Sequence, residues 1–216
     1  MLHRGFLGLS IIICAIVVVG SWPIPTLPGR AADTRSTDTV VRLINTYAIE
    51  GSDAVYRSHG TAFFVQYKEK LMLITAYHVV DNEGTITIES ATGGMYIELG
   101  RSYTNKLQDL AVYEVIDVYP KVTPFKLASN VSIDDKLTLI GFPGGETDLA
   151  VIEGVTIKHT VLIDTKDVRS GMSGGPVLNT EGAVVGVIHG STELTHTSGD
   201  QYKYAVGNVL SEICME

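Results

Sequence analysis

The chain has 216 residues, 45% of them hydrophobic, enough for one large all-β domain or two small barrels sharing an interface. Its formal charge is −8; residues 1–32 hold Arg4, Arg30 and no acid, so the remainder carries 14 basic against 24 acidic residues, or −10. With no basic run anywhere, a nucleic-acid partner is excluded, because phosphate binding needs clustered positive charge. The two cysteines, Cys14 and Cys214, provide no disulfide framework for a mature domain.

At the N-terminus, His3 and Arg4 precede an apolar run from Phe6 to Trp22, followed by Pro23, Pro25, Pro28 and the small residues of "GRAADT". A positive start, an apolar middle and small residues near a cleavage point describe a secretory signal, with cleavage expected after Ala31. A retained single-span anchor through residues 6–22 is the other expectation for residues 1–31. Either one places the protein outside the cytoplasm: secreted, periplasmic or on the cell surface. Residues 32–38 are polar and read as a linker.

From Thr39 onward, short apolar segments with period-two alternation or β-branched enrichment are broken by turn residues. The first group of predicted strands covers 39–44, 61–67, 71–76, 85–89, 95–99 and 110–115. The second covers 136–142, 150–158, 160–164, 176–179, 183–190 and 202–206. "VYPKVTPFKLAS" (118–129), with two prolines, separates them, giving halves at 39–120 and 121–216. Six strands in each half and little helix predict an all-β chain of sandwich or barrel type. One short helix is expected at the end, with Asn208 capping "VLSEICM".

"RSGMSGGPVLN" (169–179) puts Ser173 between glycines, where backbone can take unusual angles or approach a reacting atom. A serine hydroxyl is a weak nucleophile and needs a base held in one tautomer by a third group. Of six histidines, His78 stands apart, because the strand "LMLITA" delivers it to a sheet margin. Asp109 in "KLQDLAVYEV" directly precedes another apolar strand, where a carboxylate can be half-buried. Each residue alone reads equally as structural.

Together, "TAYHVV", "DLAV" and "GMSGGPVLNTEGAVVGV" stand in the order His, Asp, Ser, with "GTAFFV" and "LIGFPGG" between and before them. From about Val40 to the C-terminus the chain resembles the chymotrypsin-fold serine proteases, in their compact Deg/HtrA-type and glutamyl-endopeptidase-like branches. The resemblance implies two six-stranded antiparallel β-barrels with the active site between them. His78 and Asp109 would come from the first barrel and Ser173 from the second. It implies peptide-bond cleavage through an acyl-enzyme, with the amides of Gly171 and Ser173 as the oxyanion hole. The substrate would be a polypeptide, and neither a metal nor another cofactor is required. The other function kept open is a catalytically silent domain of the same fold that binds peptide or protein.

Two departures matter. Digestive members carry an aspartate before the serine that pairs with a freshly cut N-terminus; here that position is Met172, so packing must hold the loop instead. For substrate preference, Asp167 matches the position that selects Lys or Arg, and His189 is the alternative, reading an acidic or amide side chain, or serving only structurally. With 43 residues after Ser173, no PDZ-like domain is expected, and the sequence leaves the oligomeric state undetermined.

Overall fold

The computed structural model describes residues 38–49, 51, 53–82, 84–128, 131–158, 162–164, 167–195 and 201–209. The expected signal or anchor over 1–31 and the linker up to residue 37 lie outside them. Among the described residues, no helix is long and apolar enough to cross a membrane.

The first half folds as one antiparallel sheet. It contains β1 (Val40–Ala48), β2 (Val55–Tyr67), β3 (Lys70–Ala76), β4 (Thr85–Ser90), β5 (Gly93–Gly94), β6 (Tyr96–Asn105) and β7 (Leu110–Tyr119). Their order across the sheet is β5-β4-β1-β2-β3-β7-β6. The second half is a closed six-stranded barrel of β8 (Lys136–Gly141), β9 (Ala150–Lys158), β10 (Leu162–Asp164), β11 (Pro176–Leu178), β12 (Val184–Thr195) and β13 (Gln201–Val209), ordered β10-β13-β12-β11-β8-β9. The all-β reading and the two curled sheets match the expectation from sequence.

Three details differ. The first sheet has seven strands, not six: Ser90 and Glu89 continue through a tight turn to pair with Gly93 and Gly94. The chain after β3 makes a one-turn helix, α1 (Tyr77–Val80), where no helix was expected. Asn208 does not cap a helix. It lies in β13 opposite Val187, where β13 fills the place between β12 and β10 that would otherwise leave two open edges. Residues 210–216 lie outside the described residues. Several strands also run longer than their apolar patterns. The first five residues of β2, Val55 to His59, are exposed or half-buried, so alternation alone does not reveal them.

Both faces of β2 and β3 are covered, which is why they read as unbroken apolar runs. On one face Ala62, Phe64 and Leu73 pack with Val41, Leu43, Val79 and Val115. On the other, Phe63, Val65 and Ile74 join Ile140, Phe142, Val184 and Val187 of the second half. That shared layer couples the two sheets; truncating fully buried Phe63 to Ala would remove about 3–5 kcal/mol. The barrel has its own interior of Leu137, Leu139, Ile163, Met172, Val177 and Ile188. The connecting segment is stitched to both: Phe125 bridges Val65 and Leu127 bridges Val184.

Candidate active site

The register of β3 against β7 brings the first two candidate side chains, His78 and Asp109, together. Ala76 pairs with Leu110, so the residues just beyond each strand end become neighbours. The Tyr77 amide donates to the Asp109 carbonyl at 3.0 Å. Asp109 has φ 48°, a left-handed conformation that aspartate tolerates better than most residues. This turns its buried carboxylate onto His78. The His78 amide donates to Oδ1 at 2.8 Å, and Nδ1 lies 2.6 Å from Oδ2. With the ring proton held on Nδ1, Nε2 is left as the basic nitrogen.

The electrostatics follow from these contacts. The hydrogen bond to Asp109 raises the pKa of His78; burial works against it, and the charges of Asp109 and Asp81 add to the rise. For Asp109, burial alone pushes the carboxyl up. The two hydrogen bonds from His78, with the charges of His78 and His189, outweigh burial and hold it below the usual carboxylate range.

Ser173 sits on a segment pressed between the two sheets. Gly171 and Gly174 have φ +90° and +88°, and a Cβ on Gly174 would lie 2.1 Å from the Thr61 carbonyl oxygen. Only glycine fits there. Gly174 donates to Ile188 O at 2.7 Å, Gly175 to Met172 O at 3.0 Å and Met172 to Arg169 O at 3.2 Å. Among the described residues, the amides of Gly171 and Ser173 have no acceptor within the protein. Met172 is fully buried in the barrel interior beneath this loop.

Thr61, at the centre of β2, is the anchor of the loop and had no assigned role in the sequence. Its amide donates to Ser173 O at 2.8 Å, and its hydroxyl donates to Gly171 O at 2.8 Å and accepts from the Phe142 amide at 3.0 Å. The neighbouring 3-10 turn Pro143–Gly145 donates from Gly144 to Ser170 O at 2.6 Å. Arg42, paired with Glu89, donates to the Gly145 carbonyl.

The contact of His189 with Asp109 is the second finding the sequence did not supply. Strand β12 shifts register between Ile188 and Gly190, so His189 is the extra residue of a bulge. Bulges re-aim side chains. Here the Nδ1 of His189 reaches Oδ2 of Asp109, the oxygen already bonded to His78. The two rings stand edge to face with centroids 5.7 Å apart. Ser173 Oγ donates to the main-chain carbonyl of His189 at 3.2 Å, and among the described residues no hydrogen bond joins it to His78. The structure thus gathers His78, Asp109, Ser173 and His189, while Asp167 is exposed on the segment leading to Gly171.

Residues 60–187 match the model of the trypsin-like peptidase domain. The chain belongs to this family. Among trypsin-like relatives, the serine protease Do-like HtrA of Bacillus subtilis (strain 168) is 28% identical over 147 residues, 60% of this chain and 32% of that protein. The non-structural polyprotein 1A of mink astrovirus 1 is 29% identical over 138 residues, 63% of this chain and 15% of the polyprotein. The chain therefore matches less than a third of the length of either relative.

Proposed function

We propose that this trypsin-like domain is a serine endopeptidase acting on polypeptides outside the cytoplasm, with residues 1–31 as its export signal or anchor. The observation that carries the reading is the two-point contact of Asp109 with His78, at 2.8 and 2.6 Å, together with a serine whose own amide, like that of Gly171, has no acceptor among the described residues. Asp109 fixes the imidazole with Nε2 available and stabilises the imidazolium once it forms. Ser173 Oγ leaves the His189 carbonyl, passes its proton to His78 Nε2 and attacks the scissile carbonyl. The Gly171 and Ser173 amides receive the developing oxyanion, a type of donor worth about 10²–10³ in turnover each. His78 then protonates the departing amine, and water enters by the reverse roles to free the acid.

The test is covalent labelling by a fluorophosphonate probe. Folded full-length chain should label at one residue, and Ser173→Ala should abolish it. A folded protein that binds peptide but never labels would support the second reading, a silent binding module. The specific observation favouring that reading is the Ser173 hydroxyl bonded to His189 O, not to His78.

A further inference from the structure

The proposed reaction needs one imidazole on Asp109; the structure supplies two. His78 comes from α1, Asp109 from the turn before β7, and His189 from the bulge in β12. Their ligand atoms all lie within 4.8 Å of one another. The carboxylate is nearly buried, whereas each histidine side chain is 45% exposed, so the cluster has a fixed floor and an open mouth. Two neutral imidazoles and one carboxylate oxygen, with a coordination position open to water, form a donor set that suits zinc and similar first-row divalent ions, not magnesium or calcium.

We infer that His78, Asp109 and His189 form an inhibitory site for a first-row divalent cation of the zinc type. Metal–ligand bonds of about 2.0–2.2 Å would hold the donor atoms roughly 3.3 Å apart. The rings must therefore move outward from their present contacts with Oδ2, a small rotation for half-exposed side chains. In a neutral ring the proton moves from Nδ1 to Nε2 as Nδ1 takes the metal; a ring already protonated on both nitrogens releases its Nδ1 proton to solvent and keeps the one on Nε2. That tautomer change is the inhibitory step. With its proton on Nε2, His78 has no lone pair for the Ser173 hydroxyl, and Asp109 is occupied by the ion. Binding itself is independent of the protease reading; only the inhibition rests on it.

Untagged full chain carrying Ser173→Ala would be titrated with Zn²⁺ by calorimetry and with Co²⁺ by visible absorption. One saturable ion per chain is expected, with the intense d–d bands of a low-coordinate site. His189→Gln and Asp109→Asn, each checked for folding by circular dichroism, should weaken binding at least tenfold. Absence of saturable binding, or unchanged affinity in both folded variants, overturns the site. In the wild-type chain Zn²⁺ should block fluorophosphonate labelling, and a chelator should restore it. Saturating Zn²⁺ that leaves labelling untouched overturns the inhibitory role. Wild-type chain that never labels but still binds the ion counts against the protease reading while supporting the site.

Discussion

The Thr61 hydroxyl donates to the Gly171 carbonyl at 2.8 Å, while the Thr61 amide donates to the Ser173 carbonyl, also at 2.8 Å. One fully buried residue of the first sheet therefore grips the Gly171–Ser173 segment of the second half on both sides of Met172. No ion pair at Met172 is needed to fix the loop if this clamp holds it.

Thr61→Val keeps the shape and removes the hydroxyl. The Gly171 carbonyl and the Phe142 amide then lose a buried partner, at about 1–3 kcal/mol of stability. If the Gly171 and Ser173 amides serve as the proposed oxyanion donors, this bond aims them, and kcat on a peptide substrate should fall about tenfold or more while KM changes little. Thr61→Ser should restore most of it. Equal effects of Val and Ser, or a change confined to KM, would remove the clamp from catalysis.

The raised pKa of His78 sets the pH dependence. Its imidazole stays protonated above the ordinary 6.5, and a protonated ring cannot accept the serine proton. Measured with a chelator present, the labelling rate should therefore fall as pH drops through a midpoint above 6.5. Asp109→Asn removes the main cause of the rise and should shift the ring's titration, followed by NMR, to lower pH. In folding, the signs are opposite for the two partners. The His78 contribution is fully present below 6.5 and is lost as pH rises through its folded value. The contribution of Asp109, whose pKa is lowered from 3.8, is present above that value and is lost as pH falls through its folded one.

Gly174→Ala adds a Cβ at φ +88°, in contact with the Thr61 carbonyl and the Thr75 hydroxyl. The left-handed backbone alone disfavours alanine by about 1–2 kcal/mol, and overlap with backbone adds to that. Thermal unfolding should show a loss of at least roughly 2 kcal/mol, whereas Gly182→Ala, with φ +77° and open space around it, should show only the backbone part. Equal losses would mean that the sheet-to-sheet contact at Gly174 has slack.

Met172→Asp tests what supports the loop. The side chain is fully buried among Leu137, Leu139, Val168 and Ile188. A carboxylate there has no partner and should destabilise the fold by roughly 3 kcal/mol or more. Met172→Leu fills similar volume and should lose under about 1.5 kcal/mol. A well-folded, fully active Met172→Asp chain would show that the loop is held some other way.

Much of this protein is written locally. The apolar runs of "TAFFVQY" and "LMLITA", the glycines around Ser173 and the positions of His78 and Asp109 at strand margins are sequence facts, because apolar runs bounded by turn residues are set over a few residues. What the sequence hid is non-local. Gly93 and Gly94 make a strand only because β4 lies beside them, and Asn208 joins a sheet because the barrel must close between β12 and β10. Thr61 looks like any polar residue in a strand until the second half is docked against it. His189 shows the limit most clearly: its chemistry was visible, but a one-residue bulge in β12 decides which face it presents. That bulge, set by pairing with β13, turns its ring onto Asp109 from 80 residues away. Side-chain type is a property of the chain, whereas direction in a sheet is a property of register, and register is settled only when the partner strands meet.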